Sequence, residues 1–337
     1  MSDLYRVIGK HDLSNHFSET YEFALDVLVG LSDTRKRIPS KHLYDARGSE
    51  LFQQITRLPE YYLTNCEIEI LRNQTGTIGE YIKGGSINLV ELGAGYSEKT
   101  LCVVEYLLGH DFDFQYVPID ISEAAMADLV KALSEKYPRL QINGLVADYT
   151  SGLKWLNNRN GRKNFVLFLG SSIGNFSHAE ARTFLRNVWS CLQDGDQCLV
   201  GFDLKKDIEM FLWAYNDREG VTSEFNLNVL KRINRELGGE FDVSKFRHYG
   251  TYDVFSGAMQ SYLVSLEAQE VFVKDIGRSF QFRSWEPIHM EYSYKYLIAD
   301  IDMLASETGF LVEEHLYDSK RYFVDSIWRV NKPRADV

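Results

Sequence analysis

"INLVELGAGYSEKT", residues 87–100, carries an apolar run into Gly93 and Gly95 and then into a segment whose helix is expected to begin near Ser97. A continuous apolar run of this length reads as a strand buried on both faces, which occurs in parallel sheets covered by helices. Glycines directly after such a strand make a tight turn and let the backbone approach a ligand closely. Outward from this point, strand-like runs alternate with helical ones from about residue 86 to 204. "FQYVPID", "INGLVAD", "FVLFLG" and "QCLVGFD" are separated by segments such as "AMADLVKALSEKY" and "AEARTFLRNVWSCL". That alternation predicts right-handed βαβ units, hence an α/β fold with a Rossmann-like core.

In the second helical segment Ala181, Phe184, Leu185 and Val188 recur at helical spacing, with Ser177 as N-cap and Glu180 as its capping-box partner. Beyond residue 205 the alternation breaks. "SEFNLNVLKRINRELG" reads as helix and "MQSYLVSLEAQEVFV" as antiparallel strand material, so residues 206–295 form an insertion. Then "IADIDMLASETGF" predicts a helix closed by Gly309, and "FLVEEHLYD" and "YFVDSIWRV" predict two turn-linked strands returning to the sheet. The expected division is a core of residues 66–205 and 296–337, and a discontinuous α+β lobe of residues 15–65 and 206–295. The N-terminal 65 residues read as helical and aromatic-rich, and are assigned to that second lobe.

The chain has 337 residues, 45% hydrophobic and 25% charged, as in ordinary globular proteins. Its 48 acidic against 37 basic residues give a net charge of -11, which repels nucleic acid phosphates and anionic lipid, so neither is an expected partner. Cys66, Cys102, Cys191 and Cys198 form no CxxC pair. The N-terminus lacks an apolar stretch of signal-peptide length, and no apolar run approaches the ~20 residues of a membrane span. A cytoplasmic monomer is expected. The eight histidines lack metal-ligand spacing, so no metal is expected.

The glycine turn does not read as a dinucleotide site, because Glu98 stands where G-x-G-x-x-G needs its third glycine. Glu91 before the glycines, with Asp120 at the end of the second strand, is instead the arrangement of class I S-adenosylmethionine methyltransferases. Asp120 lies 120 − 93 = 27 residues past Gly93, near the spacing at which a carboxylate reaches ribose hydroxyls. Asp148, at the end of the third strand in "LVADY", can accept from an adenine amino group while Tyr149 covers the ring. The plainer alternative is that such aspartates only cap helices. Asn175, in "FVLFLGSSIGNF", lies beyond the end of a buried strand, where ligands bind in open α/β sheets. It either contacts a ligand or merely tolerates the turn's backbone.

Five separated motifs carry a more specific resemblance: "YDARGSELFQQITRLPEYY" (44–62), "VELGAGYSEKT" (90–100), "GSSIGNF" (170–176), "VTSEFNLNVLKRINREL" (221–237) and "EYSYKY" (291–296). Together they resemble the L-histidine Nα-methyltransferases of ergothioneine biosynthesis, over about residues 15–330. The resemblance implies S-adenosylmethionine as cofactor and histidine as substrate, held between the two lobes and trimethylated to hercynine. It implies that Tyr61, Asn175 and Tyr215 hold the α-amino and carboxylate groups, and that Tyr44 faces the amine being methylated. Gly93, Lys99, Asp120, Asp148, Tyr149 and Gly170 form the implied cofactor side. It also implies that Glu291 and Ser293, two residues apart on one strand face, read the two ring nitrogens beside an apolar wall at Met259. Leu63 stands where proline commonly follows "EYY", and Tyr96 where a small residue is usual. Two other readings remain at this level: an N-methyltransferase for a different aromatic amine, such as a tryptophan derivative, and a nonenzymatic S-adenosylmethionine-binding module.

Overall fold

The computed structural model describes residues 5–8, 19–95, 98–157 and 161–332. In chain order the elements are β1 (Tyr5–Val7), α1 (Glu19–Ser32), α2 (Ala46–Ile55), α3 (Tyr62–Asn73), α4 (Thr75–Ile82), β2 (Ile87–Leu92), α5 (Thr100–Gly109), β3 (Phe114–Asp120), α6 (Glu123–Lys136), β4 (Gly144–Val146), α7 (Tyr149–Asn157), β5 (Lys163–Phe168), α8 (His178–Cys191) and β6 (Gln197–Asp203). There follow α9 (Ile208–Tyr215), α10 (Val221–Leu237), β7 (Phe246–Asp253), β8 (Ala258–Ser265), β9 (Gln269–Val273), β10 (Arg278–Phe282), β11 (Pro287–Tyr294), α11 (Ile298–Thr308), β12 (Phe310–Tyr317) and β13 (Phe323–Val330). The expected helix start at Ser97, with Tyr96 beside it, lies outside the described residues, as do residues 15–18 and 333–337 of the expected lobes.

The chain divides into two compact units, the first made of Met1–Ser14, Asn65–Lys205 and Tyr296–Val337. Its eight-stranded sheet has the order β1-β4-β3-β2-β5-β6-β13-β12. β2 is buried at every position and pairs in parallel with both β3 and β5, as its unbroken apolar run requires. β13 runs antiparallel between β6 and β12, so the sheet is mixed. The parallel part of the sheet thus gives way to a final hairpin that turns β13 backwards beside β6. Phe165, Val166 and Leu167 of β5 and Leu199 and Val200 of β6 are among the core residues. Each such side chain contributes roughly 1.5–3 kcal/mol on burial. Ser177 and Glu180 form the expected capping box on α8, and Gly309 ends α11 at φ 95°.

The N-terminal 65 residues are not helical throughout, as their sequence suggested. Tyr5–Val7 is not helical: it adds in parallel to the sheet edge, with Tyr5 opposite Gly144 and Val7 opposite Val146. Gly144 permits this, because a Cβ there would meet Met126 Sδ at 2.6 Å and Tyr5 Cβ at 3.0 Å.

The second unit comprises Asn15–Thr64 and Lys206–Lys295. It contains a three-stranded antiparallel sheet, β11-β8-β7, and the hairpin β10-β9. Met259, Ser261, Leu263 and Ser265 of β8 are buried, and the residues between them are half-buried, so the strand has one inner face. α10 buries Phe225, Val229, Leu230, Ile233 and Leu237, and it ends at Gly238 with φ 61°, the left-handed cap that glycine supplies at low strain. A register shift between His289 and Glu291 marks a bulge in β11. After it Glu291 lies opposite Ser261 and Ser293 opposite Met259, which puts both on the inner face.

Candidate active site

In the first unit the glycine turn is built around one residue. Gly93 has φ +74°, and a Cβ there would fall 2.7 Å from the Tyr149 hydroxyl oxygen. Only glycine fits both the backbone and the space. Its amide donates to the Ile119 carbonyl at 2.9 Å, which draws the turn to the end of β3 next to Asp120. Asp120 Oδ1 accepts the Ser122 amide at 3.0 Å; among the described residues its second oxygen has no protein partner. Glu91 is buried and accepts from the Tyr116 hydroxyl on the neighbouring strand, so its role is structural.

Asp148 lies two residues past the end of β4, before α7, and accepts the Ser151 amide at 3.0 Å. It is exposed. Burial acts to raise its carboxyl, yet the Ser151 and nearby amide hydrogen bonds hold it below the ordinary aspartate range. Asp148 therefore caps the start of α7, as the plainer reading supposed, whereas α6 is capped by Ser122 and not by Asp120; both aspartates lie at the C-terminal edge of the sheet. Tyr149 packs edge-on against Phe168 and Phe184, with ring centroids at 6.2 and 6.0 Å. Burial, and then the charges of Asp120 and Glu91, push its phenol up to about 12.

Lys99 is ion-paired with Glu67 of α3, a residue the sequence reading missed. Glu67 is wholly buried, and its Oε1 also accepts the Gly170 amide at 2.7 Å. Gly170 has φ +77°, and a Cβ there would stand 3.3 Å from Lys99 Nζ. Asp325 of β13 lies beside this pair: a Cβ on Gly201 would meet Glu67 Oε1 at 2.4 Å and Asp325 Oδ1 at 3.1 Å. Asp325 is fully buried, and neither of its oxygens has a hydrogen-bond partner among the described residues. Burial first, and then the Glu67 carboxylate, raise its carboxyl well above the usual range, with Lys99 opposing. Asn175 ends the 3₁₀ turn Ser172–Asn175 after β5. The left-handed backbone at this turn belongs to Gly170 (φ 77°) and Ser171 (φ 54°), not to Asn175. The asparagine is therefore not there to tolerate the backbone.

Six of the sequence-predicted residues belong to the second unit. Tyr215, at the end of α9, donates to Ser293 Oγ at 2.7 Å. Tyr61 packs edge-on to Tyr215 with centroids 6.2 Å apart. Tyr61 also meets Phe52, which with Phe225 flanks Tyr44 at 5.5 Å from each ring. Tyr44 follows the 3₁₀ turn Ser40–Leu43 and is 41% exposed, with its ring held by aromatic edges. Met259 is buried opposite Ser293. Glu291 is partly buried, and burial raises its carboxyl to about 7, with the Lys295 charge acting in the other direction.

Lys295 is the residue the sequence reading overlooked in this unit. It is buried, donating to Ser293 Oγ at 2.8 Å and to Tyr215 Oη at 3.0 Å, with its Nζ 4.7 Å from the Tyr215 ring centroid. The alternation 291, 293, 295 would have placed it on the same strand face.

Among the described residues no group of three His, Cys, Asp or Glu is placed to hold a metal ion, and no helix is long and apolar enough to cross a membrane. A histidine Nα-methyltransferase of Mycolicibacterium smegmatis is 36% identical over 284 residues, covering 84% of this chain and 87% of that protein. The enzyme of the same name from Mycobacterium tuberculosis is 37% identical over 287 residues, 84% of this chain and 88% of that protein. Ergothioneine biosynthesis protein 1 of Neurospora crassa is 34% identical over 285 residues, covering 82% of this chain but 31% of that longer protein. Residues 23–330 match the family described as histidine-specific, SAM-dependent methyltransferases, and the chain belongs to that family.

Proposed function

We propose that this chain transfers methyl groups from S-adenosylmethionine to the α-amine of L-histidine, giving the trimethylated betaine hercynine, the first step of ergothioneine biosynthesis. The observation that carries the reading is the pair Glu291 and Ser293 on one inner strand face, an acceptor and a hydroxyl beside the apolar Met259. An imidazole has one ring N–H and one ring lone pair, and this pair can match both. A larger aromatic amine without those two nitrogens would leave Glu291 unsatisfied, which argues against the tryptophan-type reading.

The residues of the glycine turn fit the cofactor. Gly93 and Gly170 make positive-φ turns that glycine adopts without strain, among the described residues Asp120 has a carboxylate oxygen without a protein partner, and Lys99 offers a cation. Asp120 would take the ribose hydroxyls, Asp148 and Tyr149 the adenine, and Lys99 with the Gly93 and Gly170 backbone the methionine portion. When bound, S-adenosylmethionine supplies an electrophilic methyl on a sulfonium.

The protein's task is then positional. Displacement at the methyl carbon requires the amine lone pair in line, and such alignment can supply ~7–11 kcal/mol of the barrier. Tyr61 and Tyr215 hold the amino acid's head group, and the Tyr44 hydroxyl orients the amine. Each transfer needs a free amine, so one proton leaves the nitrogen before each methyl is added, three over the three transfers. Incubation of the chain with S-adenosylmethionine and each common amino acid, read by mass, tests the proposal. Histidine should gain three methyl groups and the others none; no gain on histidine refutes it.

A further inference from the structure

We propose that Lys295 makes the imidazole subsite select the neutral ring of histidine over the imidazolium, by saturating the Ser293 oxygen with donors and placing a fixed cation beside it. The inference rests on the functional reading above, and concerns which protonation state that site accepts.

A lysine ammonium has donors only, so both of its hydrogen bonds here fix the partner oxygens as acceptors. Ser293 Oγ accepts from Lys295 at 2.8 Å and from the Tyr215 hydroxyl at 2.7 Å. A hydroxyl oxygen has two lone pairs, and both are used. What Ser293 can still offer is its O–H, so it meets a ring nitrogen as donor. A ring nitrogen that receives a hydrogen bond must carry a lone pair. Glu291, two residues back on the same face, takes the ring's N–H. The subsite therefore reads one N–H and one lone pair, which is neutral imidazole; imidazolium has two N–H groups and would point one at Ser293.

Glu291 alone would not make this choice. A carboxylate binds an imidazolium at least as well as an imidazole, and charge-assisted pairs of that kind are the stronger ones. Lys295 reverses the preference, because a second cation beside a buried ammonium is disfavoured where the local dielectric is low. Its burial is sustained by two hydrogen bonds and by the rings of Tyr215 and Phe211, with Nζ at 4.7 and 5.4 Å from their centroids.

Other ionisable groups lie on this side of the sheet. Tyr252 on β7 packs against Phe211 at 5.3 Å, and burial raises its phenol, with Lys295 opposing. His248, further along β7 opposite Leu263, is pushed down to about 4 by burial, with Asp217 opposing, so it stays neutral at pH 5.5 and above. Met259 and Ser261 on β8, opposite Ser293 and Glu291, carry no charge. Lys206 lies with its Nζ 4.9 Å from the Phe211 ring centroid and donates to the Tyr62 hydroxyl at 3.0 Å.

The test compares two ligands by calorimetry on the full chain at pH 5.5 and 7.5: histidine, and β-(1,2,4-triazol-3-yl)alanine, which keeps a ring N–H and ring lone pairs but stays neutral at both values. The α-amine and the unliganded Glu291 titrate identically whichever ligand is added, so the ratio of the dissociation constants reports the difference between the two rings. With an unperturbed imidazole pKa of about 6.5, histidine should lose about tenfold relative to the triazole at pH 5.5. Lys295→Met, or Lys295→Gln if methionine lowers the melting temperature strongly, should shrink that change below about threefold. Lys295→Arg should keep it. Histidine binding with a ratio that is the same at both pH values, or unchanged by the neutral variants, overturns the inference and leaves the functional reading intact. Absence of histidine binding at either pH overturns both.

Discussion

The Glu67 carboxylate accepts the Gly170 amide at 2.7 Å while its other oxygen is ion-paired with Lys99. One wholly buried acid thus fixes both the turn after β5 and the lysine assigned to the cofactor's methionine portion. Gly201, on β6, leaves the space this acid needs. Gly201→Ala would bring a Cβ to 2.4 Å from Glu67 Oε1, and the acid must shift. Affinity for S-adenosylmethionine should fall about tenfold, by calorimetry, although residue 201 has no contact assigned with the cofactor. Unchanged affinity would show that Glu67 does not position Lys99.

Asp120 makes the most direct test of the cofactor assignment. Asp120→Ala removes acceptors for the two ribose hydroxyls, each charge-assisted bond contributing on the order of 1.5–3 kcal/mol at most. S-adenosylmethionine binding should weaken by at least tenfold while the melting temperature changes little, because its single observed hydrogen bond is a local one to Ser122. Equal binding in the two proteins would remove Asp120 from the site.

Tyr44 should act on turnover more than on binding. Phe52 and Phe225 hold its ring, so Tyr44→Phe deletes the hydroxyl and leaves the packing. The last methylation should slow most, since the dimethylated amine has fewest hydrogen bonds to keep it in line. Mono- and dimethylhistidine should accumulate in a time course followed by mass. A normal rate without these intermediates would assign Tyr44 no part in the chemistry.

The raised carboxyl of Glu291 has a consequence for stability. Its value near 7 in the folded chain lies above its ordinary 4.5, because burial penalises the charged form. The folded state therefore binds this proton more tightly than the unfolded one. That contribution is fully present below about pH 4.5 and is lost as pH rises through about 7. Relative to Glu291→Gln, the wild-type melting temperature should decline between pH 5.5 and 8. A difference between the two proteins that does not vary with pH would contradict the assignment.

Much of the fold can be read along the chain because its signals are local. The strand–helix alternation around Gly93, the capping box at Ser177 and the helix stop at Gly309 each depend on a few neighbouring residues. Strand order at the far edge does not. The antiparallel placement of β13 beside β6 arises from pairings more than a hundred residues apart, and Tyr5–Val7 is too short to have a period. The same distinction separates the site residues. Glu291 and Ser293 share a face by simple alternation, and Lys295 continues it, yet its partner Tyr215 comes from a helix 80 residues earlier. Glu67 sits in an ordinary helical pattern, and its role depends on an amide 103 residues away.

The most direct measurement of the central claim is the ratio of kcat/KM for histidine to that for tryptophan, in the wild type and in Glu291→Ala. A site that pairs both ring nitrogens can reject a ring lacking them by up to ~10⁴-fold. A large preference for histidine is expected, falling by roughly 2–4 kcal/mol in the variant. A wild type that prefers tryptophan, or a ratio that Glu291→Ala leaves unchanged, would contradict the assignment of histidine as substrate.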